Sequence, residues 1–126
     1  MGSYKMLIVD DEPDIVAVLE KRFTLEGYRV ATATCASDAL ILAQSQRPDI
    51  ILLDVLLPGM DGGEVARRLR MIPETADIPV IFLTGMFPRF DDRRPYRITP
   101  DHILFSKPID INELQDAVEG LVPKTA

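Results

Sequence analysis

The feature that most constrains this chain is a set of short, unbroken apolar runs. They read Met6-Leu7-Ile8-Val9, Ile50-Ile51-Leu52-Leu53, Val80-Ile81-Phe82-Leu83 and Ile103-Leu104-Phe105. A strand with one wet face alternates apolar and polar residues. These runs do not, so each predicts a strand covered on both faces. A weaker run, Arg29-Val30-Ala31-Thr32-Ala33, follows Gly27 and predicts a fifth strand. Helical patterns fill the intervals. Pro13 suits a first helical turn, where its missing N–H costs nothing. Ile15, Val16, Val18, Leu19 and Phe23 then fall near one face, and Gly27 is a stop. Ser37 or Asp38 is expected to cap a second helix carrying Ala39, Leu40, Leu42 and Ala43, with Pro48 closing it. A third helix is expected from about Gly63 to Met71, with Val65, Ala66 and Leu69 inward. A last one is expected from about Asp110 to Leu121, with Ile111, Leu114, Val118 and Leu121 at helical spacing. Strands alternating with helices require a parallel sheet with helices on both faces, a doubly wound α/β fold.

One stretch breaks the alternation. Between the runs that end at Leu83 and begin at Ile103, prolines at 88, 95 and 100 leave room for at most about two helical turns. A shortened fourth helix or a Pro-rich loop is expected there. The same stretch carries Arg89, Arg93, Arg94 and Arg97 beside Phe87, Phe90 and Tyr96, side chains typical of interface anchors.

Composition narrows the function classes. The 126 residues suit one domain, with a core expected over about 4–122 and Met1-Gly2-Ser3 readable as a cloning scar. A net charge of −6 argues against direct binding of nucleic acid, which needs a basic surface. The lone Cys35 excludes an internal disulfide framework, and the lone His102 makes His-based metal or triad chemistry a poor fit. Both read as packing or surface residues, and Met60 and Met71 as packing. No apolar run approaches the roughly 20 residues that span a bilayer, and no leader pattern is visible, so a cytoplasmic location without membrane contact is expected.

The informative residues stand just after the runs. The first ends in Asp10-Asp11, the second in Asp54, the third in Thr84, and the last is followed by Ser106-Lys107-Pro108. In an open parallel sheet, ligands bind outside the carboxyl ends of the strands, near the switch point of strand order. Taken singly, each residue is an ordinary turn or cap residue. Together they bring three carboxylates, a hydroxyl and an ammonium to one place. Packed carboxylates repel, and one would hold its proton without a counter-charge. A hard cation such as Mg2+ resolves this, binding one or two carboxylates together with a phosphate. A carboxylate can itself take a phosphoryl group, and Asp54 on the central strand is the candidate nucleophile. No glycine-rich GxxxxGK[ST] cradle is present, which disfavours a nucleotide triphosphate.

These stretches resemble the receiver domain of bacterial two-component response regulators. The resemblance rests on Leu7-Ile8-Val9-Asp10-Asp11-Glu12, Asp54-Val55-Leu56-Leu57-Pro58-Gly59-Met60-Asp61-Gly62, Leu83-Thr84-Gly85 and Lys107-Pro108. It implies a flavodoxin-like five-stranded sheet of order 2-1-3-4-5. It makes Asp54 the phosphoacceptor, and Asp10, Asp11, Asp54 and the Leu56 carbonyl the Mg2+ ligands. Thr84 matches the switch hydroxyl and Lys107 the lysine that pairs with the phosphoryl group. Gly85 would keep phosphoryl access open, and Pro58, Gly59 and Gly62 would shape the loop after the nucleophile. The implied donor is a phosphohistidine on a sensor histidine kinase or phosphotransfer protein, and the output is a changed surface read by a downstream protein. The chain would catalyse its own phosphorylation and dephosphorylation, as a monomer or weak dimer, and its length leaves no room for an output domain.

Two departures from the family pattern bear on switching. The family places Tyr or Phe three residues before the lysine; here that position is Leu104, with Phe105 one step later on the opposite strand face. The proline-broken stretch rebuilds the region of the fourth helix. Leu56 and Met86, both apolar, take positions that flank the water path in receivers, which implies slow self-dephosphorylation. The competing reading is a receiver-like scaffold whose partner binding is uncoupled from phosphorylation. An aspartate phosphatase fits worse, because Leu56 stands where a DxDx[TV] motif needs its second acid. A flavin carrier also fits worse, for want of a phosphate loop after the first strand.

Overall fold

A computed structural model describes residues 4–85, 96–98 and 103–122, with the backbone alone at 96–98 and at Ser106. The elements, in order, are β1 (Lys5–Val9), α1 (Pro13–Leu25), β2 (Arg29–Ala33), α2 (Ala36–Gln46), β3 (Ile50–Asp54), α3 (Gly62–Met71), β4 (Val80–Thr84), β5 (Tyr96–Ile98), β6 (Ile103–Ser106) and α4 (Ile111–Leu121). They form one sheet of order β2-β1-β3-β4-β6-β5. The strands expected from the apolar runs are all parallel and take the expected order. The addition is β5, a three-residue strand antiparallel to β6 at the sheet edge. It falls in the proline-broken stretch, where a short extended segment needs fewer free N–H groups than a helix. The remaining residues of that stretch, Met86 and the arginines and aromatics up to Phe90 and Arg94 included, lie outside the described residues, as does His102.

The absence of alternation in the runs has a direct structural reason: each strand feeds two cores. Met6, Ile8, Ile50, Leu52, Ile81, Leu83 and Phe105 point to one face, where Leu19 and Phe23 of α1 and Leu114 and Val118 of α4 cover them. Leu7, Val9, Ile51, Leu53 and Phe82 point to the other, under Ala36, Ala39 and Ala43 of α2 and Val65, Ala66 and Leu69 of α3. Both faces are sealed, so neither set of side chains can be polar.

The helix ends show where local expectation held. Gly27 has φ +98 and follows α1, as its place in the sequence suggests. Neither Ser37 nor Asp38 caps α2. The N-cap residue is Cys35, without a side-chain cap bond, and Asp38 lies in the first turn, where a negative charge suits the positive helix end. Arg47, in the left-handed region at φ 47, ends that helix just before Pro48. Asp110 caps α4, accepting from the N–H groups of Asn112 at 3.0 Å and Glu113 at 3.2 Å. Asp110→Ala is therefore expected to cost about 1 kcal/mol and lower the thermal midpoint by roughly 4 °C, read by a melting curve. An unchanged midpoint would show that the cap contributes nothing.

Candidate functional site

The strand order reverses at β1 and β3, since the chain leaves β1 for β2 on one side and returns to β3 on the other. The carboxyl ends of these two strands therefore open into a crevice. Backbone bonds pin each side chain there. The Asp10 N–H donates to the Ala33 carbonyl at 3.1 Å, the Val55 N–H to Leu83 at 2.9 Å, and the Lys107 N–H to Thr84 at 2.8 Å. The Lys107–Pro108 peptide is cis.

Three of the expected residues meet directly. The Lys107 ammonium lies 2.9 Å from Asp10 Oδ2 and 3.5 Å from Asp54 Oδ2. Asp10 is fully buried and Asp54 nearly so. Thr84, also buried, stands at the end of the neighbouring strand. The Leu56 N–H donates to Asp54 Oδ1 at 3.3 Å, which places that backbone beside the carboxylate. Asp11 is exposed and lies outside the close carboxylate group. A Cβ added at Gly85 would sit 3.9 Å from Lys107 Cδ, an ordinary contact, so the free pocket has room for it.

Sequence reasoning passed over one member. Glu12, at the N-cap of α1, turns its carboxylate onto Lys107. Asp10, Glu12 and Asp54 bring carboxylate oxygens within 4.8 Å of one another. The available signal was position alone: Glu12 directly follows the acid pair and precedes Pro13.

The electrostatics are those of an under-neutralised anion cluster. Burial, then the charge of Asp10, push the Asp54 pKa up to about 6; Lys107 and the Leu56 N–H pull it down without cancelling this. Burial opposes the charge on Lys107, but its contacts with Glu12 and Asp10 and the charge of Asp54 outweigh that, so its pKa is raised and it stays an ammonium. Asp10 Oδ2 is buried without a directed hydrogen bond, and its compensation is the charge of Lys107 alone. An oxygen-only donor set with surplus negative charge suits a hard divalent cation.

The departure at Leu104 has a clear geometry. Leu104 packs against the α2–α3 core, while Phe105 is sealed in the α1–α4 core. Adjacent strand residues face opposite ways, so Phe105 does not take the place of an aromatic at 104.

A doubly wound α/β domain with a buried aspartate, a second acid and a lysine at its strand ends is the frame of a phosphoryl-accepting signalling domain. The chain matches the family model for the response regulator receiver domain over residues 6–119, and it belongs to that family. It is 34% identical over 123 residues to sporulation initiation phosphotransferase F of Bacillus subtilis, covering 98% of this chain and 97% of that protein. It is 43% identical over 108 residues to response regulator PleD of Caulobacter vibrioides, covering 86% of this chain but 24% of PleD. Among solved structures, the receiver domain of sensor histidine kinase PA1611 from Pseudomonas aeruginosa PAO1 superposes with TM-score 0.80 at 28% identity, covering 95% of this chain and 98% of that one. That structure has a magnesium ion coordinated in its active site cleft. Membership supports phosphorylation-dependent signalling as the general role. No helix among the described residues is long and apolar enough to cross a membrane.

Proposed function

We propose that the chain is a phosphorylation-dependent switch of a two-component phosphorelay, accepting its phosphoryl group on Asp54. The observation that carries this reading is the buried Asp54 carboxylate, 3.5 Å from the Lys107 ammonium and crowded by Asp10. A pKa of about 6 leaves that carboxylate mostly ionised at neutral pH, as a nucleophile must be. In the transfer, an Asp54 oxygen bonds to the phosphorus of a phosphohistidine on a histidine kinase or phosphotransfer protein. The P–N bond breaks and its electron pair stays on the imidazole, so no base of this chain is needed. Lys107 neutralises a phosphoryl oxygen, and the Thr84 hydroxyl donates to another. Mg2+, when bound, supplies the remaining positive charge for the phosphoryl oxygens. Asp10, Asp11, Asp54 and the Leu56 carbonyl are the groups that would hold it, as the family resemblance implies, Asp11 turning in from its exposed position. Gly85 matters only once a phosphoryl group is present. Hydrolysis of the acyl phosphate resets the switch, slowly if apolar Leu56 shields the water path. The altered surface is read by a downstream protein.

One observation favours a second reading. Leu104 is packed on the α2–α3 face and no aromatic side chain stands there to follow Thr84, so the pocket could fill without reaching the output surface. NMR with Mg2+ and beryllofluoride separates the two. Shifts reaching β6 and α4 are expected of a switch. Shifts confined to the pocket would make the chain an uncoupled scaffold, and no shift at all would sink both readings.

A further inference from the structure

We propose that Glu12 is a latch on Lys107, holding the ammonium while Asp54 is bare and releasing it when a phosphoryl group arrives; this rests on the phosphoryl-acceptor reading of Asp54. Glu12 occupies the N-cap of α1, yet its carboxylate makes no bond to the first turn of its own helix. Its backbone is held firmly: the N–H donates to Asp10 Oδ1 at 2.9 Å, and the carbonyl accepts from the Val16 N–H at 3.1 Å. With Pro13 next in the chain, the side chain is aimed across 95 positions of sequence at Lys107 Nζ. A lysine ammonium has three N–H donors. Asp10, Glu12 and Asp54 all crowd Lys107 Nζ, Glu12 as its hydrogen-bond acceptor and the two aspartates as ion pairs. A phosphoryl group on Asp54 brings oxygens that need the same ammonium, so one carboxylate must yield. Asp10 and Asp54 have side chains 0% and 5% exposed and would be left without water, whereas the Glu12 side chain is 56% exposed and regains solvent when it lets go. Glu12 is thus a positioning residue that sets how readily the pocket loads.

The test is a double-mutant cycle read by calorimetric titration of beryllofluoride at saturating Mg2+. Glu12→Ala is expected to bind the mimic about fivefold more tightly, as release of a solvated ion pair allows. In the Lys107→Met background the same change is expected to have no effect. Equal gains in both backgrounds would mean that Glu12 acts through its charge alone, and no gain would mean that loading releases nothing; either overturns the latch. Glu12→Asp keeps the charge but shortens the reach. It is expected to behave as Glu12→Ala, and wild-type behaviour would count against the latch even if Lys107→Met binds too weakly to titrate. In metal-free protein the Lys107 side-chain nitrogen resonance is expected to move on Glu12→Ala. An unmoved resonance would overturn the pairing by itself. Failure of the wild-type chain to take beryllofluoride, with the resonance moving as expected, would fault the phosphoryl reading and not the ion pair.

Discussion

Asp54→Asn is expected to make this protein more stable and unable to load. The Asp54 carboxyl has an ordinary value of 3.8 and stands at about 6 in the fold, where burial and Asp10 disfavour its charge. Between those values the folded state holds more protons than the unfolded one, so stability falls as pH rises from about 4 to about 6 and then stays level. The full penalty is about 3 kcal/mol, and the side chain, 5% exposed, is buried enough to lose little of it to solvent screening. Asparagine removes the charge and keeps an oxygen for the Leu56 N–H. Urea unfolding at pH 7.5 is therefore expected to show a gain of roughly 2–3 kcal/mol that disappears below about pH 4. Millimolar Mg2+ is expected to stabilise the wild type and leave the variant unmoved. A gain that does not vary with pH would mean that the charge of Asp54 is not the source. The same variant is expected to take up no phosphoryl group from acetyl phosphate, measured by intact mass.

Gly62→Ala is expected to damage both fold and site. Gly62 opens α3, and its N–H donates to the Val55 carbonyl at 2.7 Å. A Cβ there would collide with the Asp54 carbonyl oxygen and lie 3.0 Å from Val55 Cα, both backbone atoms at the end of the central strand. Backbone cannot swing aside as a side chain can, so the strand end must shift by about 1 Å, at a cost of about 3 kcal/mol. That shift moves Asp54, the proposed nucleophile, and a displacement of this size can cost roughly 100-fold in reaction rate. Urea unfolding and phosphorylation by acetyl phosphate check the two effects. Gly120, exposed in the last turns of α4 with nothing near its Cβ position, is the control. Gly120→Ala is expected to stabilise by about 0.5–1 kcal/mol through helix propensity. A harmless Gly62→Ala would mean that α3 is free to move away from the strand, and the tight contact would lose its meaning.

Most of the fold was legible because burial on two faces leaves a sign in the chain. Ile50-Ile51-Leu52-Leu53 has no polar position, and a strand of that kind needs helices on both sides. The acid pocket was legible for a related reason. Asp10, Asp54 and Lys107 each follow an apolar run, and parallel strands bring all such ends to one edge of the sheet. The cap of α2 was misplaced because Cys35, Ser37 and Asp38 are all short side chains that can stand at a helix start. Propensity does not choose among them; the exit of β2 does. The short strand β5 was not legible, since a three-residue segment between prolines carries no periodicity.

Glu12 marks the boundary between the two kinds of information. Its sequence neighbours mark a helix start and nothing more. Its meeting with Lys107 depends on the pairing of β4 with β6, which carries residue 107 to the same edge as residue 10. Local chemistry, periodicity and strand-end position are properties of short stretches, and from them the sequence alone determined the layered sheet and singled out Asp54 as the candidate nucleophile. Which carboxylates share one ammonium, how far Asp54 is pushed toward neutrality, and how tightly α3 presses on the strand end are sums over contacts between distant parts of the chain. Only the tertiary structure decided those, because desolvation and charge interactions change over a few ångströms while sequence separation carries no distance.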